Sequence, residues 1–202
     1  MTNNNFSDTD RAVSIHRQET AYAGAIWNVQ RDTFTMHDGE DALTREYIDH
    51  PGAVAIVAID EAHRVAMVQQ YRHPVGQDCW EIPAGLLDAE GESLLATAQR
   101  ELAEETDLTA KTWSVLVDHY PSAGSSAESI RIFLAQDISP ITEMQYEREG
   151  EEAHLVLEWV PIDTVLDAVM SGDVKNVNAV AGIMAAHLVL TGQRPARAVE
   201  DC

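Results

Sequence analysis

The chain is poor in basic residues and in cysteine, and each shortage narrows the classes of protein to which it can belong. Lysine and arginine together number 13 against 34 aspartates and glutamates, so the formal net charge is −21. Such a charge repels nucleic acids and anionic membranes, and we expect neither as a partner. The 2 cysteines, Cys79 and Cys202, belong to no metal-ligand spacing, and the expectation is a reduced, cytoplasmic protein.

Long apolar stretches are also missing. The chain has no run of the roughly 18 apolar residues that a membrane-spanning helix needs. Its first ten residues lack the basic and apolar regions of a signal peptide. The 202 residues, of which 45% are hydrophobic, suffice to bury the core of one domain of ordinary size.

The pattern of apolar residues predicts a mixed α/β (α+β) fold, in which a mixed β-sheet is sandwiched between helices. A short N-terminal β-hairpin is expected to precede it, with strands near Ala25–Met36 and Thr44–Asp49. The predicted divisions of the chain are a disordered tail over residues 1–18, the hairpin over 19–50, the main domain over 51–192 and a C-terminal tail over 193–202.

Within the main domain, the continuous apolar run Ala53–Ile59 predicts a strand that is buried on both faces. Further strands are predicted at Val65–Arg72, Glu81–Pro83, Trp113–His119, Ser129–Ala135 and Leu155–Val160. Helices are predicted at Ser93–Glu105, at Thr164–Met170 with Asp163 as its cap, and from about Asn176 to Leu190.

Three carboxylates lie on one face of the first predicted helix. Glu101, Glu104 and Glu105 are spaced i, i+3 and i+4, which stacks them within one turn. Each exposed like-charged pair of this kind costs roughly 0.2–0.5 kcal/mol. A solvated acidic face is the commoner explanation of such a cluster, but a bound hard cation such as Mg²⁺ or Mn²⁺ would also offset the repulsion.

The residues around the acidic cluster favour the cation. Glu92 is followed after seven residues by Arg100-Glu101, and the run continues through Glu104-Glu105 to Leu108. With Gly85 upstream, the pattern resembles the Nudix box, which is specific because so many positions are fixed. The chain departs from that box twice: six residues rather than five separate Gly85 from Glu92, and Asp107 stands where the box has glycine, a position that usually needs a positive φ.

Flanking motifs narrow the resemblance. The segments Gln70–His73, Ile82–Gly85 and Tyr120–Glu128 are similar to those of ADP-ribose pyrophosphatases of the actinobacterial type. The resemblance implies a Nudix fold and the Mg²⁺-dependent hydrolysis of ADP-ribose to AMP and ribose 5-phosphate, with Mn²⁺ as a substitute. Two alternatives stay open: hydrolysis of another nucleoside diphosphate sugar, and a non-catalytic nucleotide sensor with a Nudix fold.

The resemblance also assigns roles to residues. The metal ligands would be Glu101, Glu105 and the backbone carbonyl of Ala84, with Glu104 in support or holding a second ion. Arg100 would orient the carboxylates. For Glu92, a brace of the loop or a role in catalysis is weighed against a simple helix-capping acid.

A base that activates water would come from the acidic loop after the later strands, with Glu152 preferred over Glu151. Arg72 would contact the diphosphate or the adenine, although a surface salt bridge is a serious competitor. Trp27 would stack on the adenine, and Ser125 and Glu128 would lie near the terminal ribose. The hairpin has too little apolar surface to stand alone, so we expect it to pack across a partner subunit in a homodimer.

Overall fold

The computed structural model describes residues 6–142 and 154–199, which fall into two units. The first contains the described residues up to His50 together with Ser122–Ala127, and the second contains the remainder. Both units are built on β-sheets, and the helices belong to the second unit.

The N-terminal unit contains a three-stranded antiparallel sheet, in the order β1-β2-β3. Its strands are β1 (Ser14–Ala23), β2 (Asn28–Thr35) and β3 (Leu43–Asp49). The predicted hairpin corresponds to β2 and β3, whereas the predicted tail over residues 1–18 is wrong from Ser14 onward. Side chains of β1 are exposed along nearly its whole length, so no apolar alternation marks it, and backbone pairing with β2 holds it in place.

The described residues of the second unit form two further sheets. Its strands are β4 (Ala53–Ala58), β5 (Arg64–Arg72), β6 (Gln77–Glu81), β7 (Ala84–Leu86), β8 (Leu108–His119), β9 (Ile130–Pro140) and β10 (Val156–Pro161). A four-stranded mixed sheet has the order β7-β4-β9-β8, in which only β4 and β9 run parallel. An antiparallel sheet has the order β10-β5-β6. Every residue of β4 is buried, as its continuous apolar run predicts.

In the described part of the second unit, three helices cover its sheets: α1 (Leu94–Thr106), α2 (Ile162–Ser171) and α3 (Val177–Leu190). Ala98 and Leu102 of α1 pack with Ile56 and Phe133 on one face of the mixed sheet. The opposite face packs against α2 and α3, so the predicted mixed sheet between helices is confirmed. α3 lies very close to that sheet, because a Cβ at Gly182 would stand 3.0 Å from side-chain atoms of Ile82 and Val57.

Three local predictions need correction. The single strand predicted at Glu81–Pro83 is split, since β6 ends at Glu81 and β7 begins at Ala84. Asp163 does not cap α2; it lies in the first turn after Pro161, which makes no side-chain cap. The predicted C-terminal tail is attached over part of its length, because Arg197 and Val115 exchange two backbone hydrogen bonds of 2.9 Å.

No helix in the described ranges is long and apolar enough to cross a membrane.

Candidate functional site

Helix α1 carries the acidic face, and both of its ends are defined by short polar residues. The Ser93 hydroxyl accepts a hydrogen bond from the Ala96 N–H at 3.2 Å and so caps the first turn. The helix ends at Asp107, which adopts the left-handed conformation with φ 55° and donates its N–H to the Ala103 carbonyl at 3.0 Å. Asp107 therefore takes the positive φ expected where the box has glycine, and the helix ends where the box requires.

Glycine at position 85 makes room for the carboxylate of Glu101. A Cβ built on Gly85 would lie 1.9 Å from the Glu101 carboxyl carbon and 2.1 Å from its Oε1. These distances are far below any van der Waals contact, so only a residue without a side chain can stand beside Glu101 in this arrangement. The Glu101 side chain is 12% exposed. The carboxylate thus lies directly against the backbone of β7.

Glu105 contacts the same short strand one residue earlier. The Ala84 N–H donates a hydrogen bond of 3.0 Å to Glu105 Oε2, and Glu105 is 6% exposed. Since Glu101 and Glu105 are one helical turn apart, α1 brings both carboxylates to Ala84-Gly85. A buried carboxylate is costly unless it is hydrogen-bonded, and the Ala84 N–H contributes part of that compensation.

Arg100 links the helix carboxylates to the preceding loop. Its Nη1 donates to Glu101 Oε1 at 2.6 Å and to Glu104 Oε2 at 3.1 Å, while Nη2 donates to Glu92 Oε2 at 3.1 Å. Glu92 also accepts a hydrogen bond of 3.0 Å from the Thr97 hydroxyl. Burial alone would lower the pKa of Arg100, but hydrogen bonding to Glu92 and the charges of Glu101 and Glu104 raise it. Arg100 is therefore a fixed cation amid the carboxylates.

The chemistry of this cluster fits a hard divalent cation. Glu101, Glu104, Glu105 and the Ala84 carbonyl are all oxygen donors, and Gly85 gives the Glu101 carboxylate room beside the strand. Within the described parts of the chain, no three His, Cys, Asp or Glu side chains are arranged so that they could hold a metal ion as they stand. Glu101 instead contacts Arg100, and Glu105 contacts the Ala84 N–H.

Arg72 lies at the end of β5 and forms a two-pronged ion pair with Glu81 of β6. Its Nε donates to Glu81 Oε1 at 2.8 Å and its Nη2 donates to Oε2 at 2.7 Å. Glu81 is 3% exposed, whereas the Arg72 side chain is 42% exposed. The pair is therefore half buried. It differs in this from the exposed salt bridge that the sequence offers as the alternative to a substrate contact for Arg72.

Sequence reasoning missed Glu81 as the partner of Arg72, although a signal was present. The register of β5 with β6 places Arg72 opposite Gln77 and Val68 opposite Glu81. Since alternate residues of a strand share a face, Arg72 and Glu81 lie on the same face of this strand pair. A hairpin over Val65–Glu81 places the two side chains on one face but four positions apart along the strands, so they meet only because both side chains are long.

The other predicted substrate residues are divided between the two units. In the N-terminal unit, the Trp27 ring stacks on that of His50, with centroids 4.6 Å apart and an interplanar angle of 17°. Also in that unit, the Ser125 and Ser122 hydroxyls are hydrogen-bonded at 2.7 Å. Glu128 belongs to the second unit, as Arg72 does. Glu151 and Glu152, the predicted bases, lie outside the described residues.

Comparison with known proteins identifies the family. A model of the NUDIX domain matches residues 49–179, which include the whole acidic cluster. The chain belongs to the Nudix family. This confirms the family predicted from the spacing of Gly85, Glu92 and Arg100–Glu105, despite the extra loop residue and Asp107.

Relatives of this Nudix chain include two that are named ADP-ribose pyrophosphatase. The chain is 45% identical over 174 residues to that of Mycobacterium tuberculosis, covering 86% of this chain and 83% of the relative. It is 35% identical over 157 residues to that of Bacillus subtilis, covering 78% and 83%. A crystal structure described as an ADP compounds hydrolase matches with a TM-score of 0.75 at 22% identity, covering 93% of this chain and 98% of that one. The last match supports the Nudix fold.

Proposed function

We propose that this Nudix protein hydrolyses the diphosphate of ADP-ribose to AMP and ribose 5-phosphate in a Mg²⁺-dependent reaction, with Mn²⁺ as a substitute metal. The observation that carries the proposal is the pairing of Glu101 and Glu105 with Ala84-Gly85, because it brings oxygen donors to one strand. The choice of substrate is supported by the similarity to two ADP-ribose pyrophosphatases.

In this proposal Glu101, Glu105 and the Ala84 carbonyl hold the metal, and Glu104 supports them. When bound, the cation neutralises diphosphate charge and lowers the pKa of water. Arg100 orients the carboxylates and offsets their repulsion, since its Nη1 bridges Glu101 and Glu104. Fixed groups of this kind need little reorganisation during the reaction, which favours the transition state.

The remaining roles follow the same proposal. Glu152, or failing it Glu151, takes the proton of the attacking water. Arg72, whose side chain is partly exposed and held by Glu81, contacts the diphosphate or adenine. Trp27 stacks on the adenine, and Ser125 and Glu128 lie near the terminal ribose.

We further propose a cytoplasmic homodimer formed through the N-terminal sheet. This sheet and its β1–β2 connection expose several large apolar side chains, which is typical of a surface that is covered in an assembly. They are Ile15, Tyr22, Ile26 and Ile48. Analytical ultracentrifugation tests the assembly: a monomer at micromolar concentration would contradict it.

The deciding experiment measures AMP and ribose 5-phosphate released from ADP-ribose, with Mg²⁺ and with a chelator. We expect turnover only with the metal, and a fall of at least about 100-fold in Glu105→Gln, because a metal ligand is lost. Glu90→Gln is the matched control, since Glu90 is an exposed residue of the preceding loop. It should retain activity.

The other outcomes separate the alternatives. Tight binding of ADP-ribose without turnover would indicate a nucleotide sensor. Absence of both would direct attention to another nucleoside diphosphate sugar as the substrate. Full activity of Glu105→Gln would show that the acidic cluster is not the metal site.

A further inference from the structure

Thr97 places a hydroxyl group in a buried part of helix α1. The residue is 1% exposed, and it lies one helical turn before Arg100 and Glu101. A buried hydroxyl costs free energy unless it is hydrogen-bonded, and a valine side chain would have the same shape without that cost. The hydroxyl of Thr97 is therefore expected to have a specific partner.

Two acceptors lie within reach of this hydroxyl. They are Oε2 of Glu92 at 3.0 Å and the backbone carbonyl of Ser93 at 3.2 Å. The Ser93 carbonyl already accepts the N–H of Thr97 at 2.9 Å, which is the first hydrogen bond of the helix. A hydroxyl has one proton to donate, and a carboxylate accepts it more strongly than a neutral carbonyl does. Thr97 therefore donates to Glu92.

Glu92 lies outside the helix and joins Thr97 to Arg100. The oxygen that accepts from Thr97, Oε2, also accepts from Arg100 Nη2 at 3.1 Å and from Arg100 Nε at 3.3 Å. The cap of α1 is the hydroxyl of Ser93, which leaves the Glu92 carboxylate to these contacts. Thr97 thus holds one oxygen of the carboxylate to which Arg100 is anchored.

The guanidinium group of Arg100 carries this constraint to the acidic face of the helix. The group is planar and rigid, so fixing its Nε and Nη2 edge also orients Nη1. Nη1 donates to Glu101 Oε1 at 2.6 Å and to Glu104 Oε2 at 3.1 Å. A rotation of the Glu92 carboxylate would tilt the guanidinium plane and move Nη1 relative to Glu101. Asp88 constrains Arg100 less, since it is exposed and its Oδ1 lies 3.6 Å from Nη2.

We propose that Thr97 is a positioning residue for the metal ligand Glu101. Its hydroxyl fixes the Glu92 carboxylate, and Glu92 fixes the plane of the Arg100 guanidinium group. The inference rests on the proposed function, because Glu101 is a metal ligand only within it. Loss of a group that orients a ligand without contacting the metal typically lowers metal affinity about 10- to 100-fold. Thr97 acts through two intervening side chains, so we expect the lower end of that range.

Titration with Mn²⁺ tests the proposal, because the electron paramagnetic resonance signal of free Mn²⁺ reports binding without substrate or turnover. Thr97→Val removes the hydroxyl and keeps the shape, and it should bind Mn²⁺ about tenfold more weakly than wild type. Thr97→Ser keeps the hydroxyl and should recover most of that affinity. Thr106→Val is the matched control, because Thr106 is also buried in α1 but donates its hydroxyl to the Leu102 carbonyl. Its Mn²⁺ affinity should equal that of wild type.

Turnover of ADP-ribose at increasing Mg²⁺ concentration gives a second measurement. In Thr97→Val, the Mg²⁺ concentration for half-maximal turnover should rise about tenfold, in step with the loss of affinity. Turnover at saturating Mg²⁺ should approach that of wild type, because excess metal restores occupancy of the site by mass action. A variant damaged in its fold would lose turnover at every Mg²⁺ concentration.

Thermal melting of each variant separates metal affinity from folding. If Thr97→Val fails to fold, Thr97→Ala removes the same hydroxyl without adding volume and decides the question. Unchanged Mn²⁺ affinity in these variants, no recovery in Thr97→Ser, or an equal loss in Thr106→Val would overturn the proposal.

The outcomes for wild type separate this proposal from the proposed hydrolysis. If wild type bound no Mn²⁺, the positioning role would be overturned, while Mg²⁺-dependent turnover in the same chain would leave the hydrolysis standing. A tenfold loss of Mn²⁺ affinity in Thr97→Val, in a chain that does not turn over ADP-ribose, would support the positioning role and refute the hydrolysis.

Discussion

Replacing Gly85 with alanine would place one methyl group where the Glu101 carboxylate now lies. The new Cβ would be 1.9 Å from the carboxyl carbon and 2.4 Å from Cγ of Glu101. Gly85 is not among the residues with positive φ, so alanine fits its backbone conformation. Since the atoms in the way are at the end of a flexible side chain, we expect Glu101 to move and the strand to stay.

The expected cost of that movement is small in stability and large in activity. A displaced rotamer costs about 0.5–1.5 kcal/mol. Losing the partly exposed contact between Glu101 and Arg100 adds at most about 1 kcal/mol. The free energy of unfolding should therefore fall by about 1–2 kcal/mol. Turnover should fall at least about 100-fold, because a metal ligand has left its position.

Urea unfolding and metal-dependent release of AMP measure the two effects on the same samples. Gly192→Ala is the matched control, because Gly192 has φ +71° and nothing within 4 Å of an added Cβ. It should lose about 1 kcal/mol of stability through backbone strain and keep full activity. Normal turnover in a folded Gly85→Ala variant would refute the reasoning, and so would a loss of stability as large as that of a core cavity.

Three further predictions concern single residues. Arg72→Ala should lower the free energy of unfolding by about 3 kcal/mol in urea, because it leaves the carboxylate of Glu81 buried without this partner. The double variant Arg72→Ala/Glu81→Gln should lose less stability, because no buried carboxylate remains. Asp107→Gly should raise the free energy of unfolding by up to about 1 kcal/mol, and with it the melting temperature, since glycine adopts positive φ without strain. Burial alone would raise the pKa of the Asp60 carboxyl, but hydrogen bonds from the backbone and side chain of Arg64 lower it. The stabilisation that ionised Asp60 contributes is therefore present above the unfolded pKa of about 4, and it is lost as the pH falls through the folded pKa. Asp60→Asn should therefore lose stability at pH 7 and show a flatter decline below about pH 4 when urea unfolding is followed against pH.

Each of these predictions has a contradicting result. An additive double variant would show that Arg72 and Glu81 do not depend on each other. A less stable Asp107→Gly variant would mean that the aspartate side chain contributes more than its backbone conformation costs. Parallel pH curves for wild type and Asp60→Asn would exclude Asp60 as a source of acid sensitivity.

The sequence predicts the central elements well because their patterns are local. β4 is a single apolar run, and α1 combines an apolar stripe with a serine just before it, so both were identified within about two residues. Gly85 and Asp107 stand at positions where the box has glycine, and the structure shows a close approach at Gly85 and a positive φ at Asp107. Local rules of propensity and spacing are sufficient for such features.

The missed features depend on partners that are distant in sequence. β1 has exposed side chains on both faces, and only its pairing with β2 makes it a strand. Arg197 reaches Asp118 because the C-terminal segment returns to the edge of β8, which no periodicity in residues 193–202 indicates. Aspartate is a favoured cap residue, yet α2 begins at Ile162 with Pro161 at the cap position, which places Asp163 inside the first turn.

The parallel pairing of β4 with β9 has a consequence for how the chain folds. Their segments, Ala53–Ala58 and Ile130–Ala135, are separated by four strands and a helix, so this contact closes a very long loop. Folding rates fall as contacts become less local, because the loop entropy is lost before the contact contributes. α1 and β7 are close in sequence, but they pack on β4 and need it for support. During synthesis, the acidic cluster should thus reach its final arrangement only after β9 has emerged and paired.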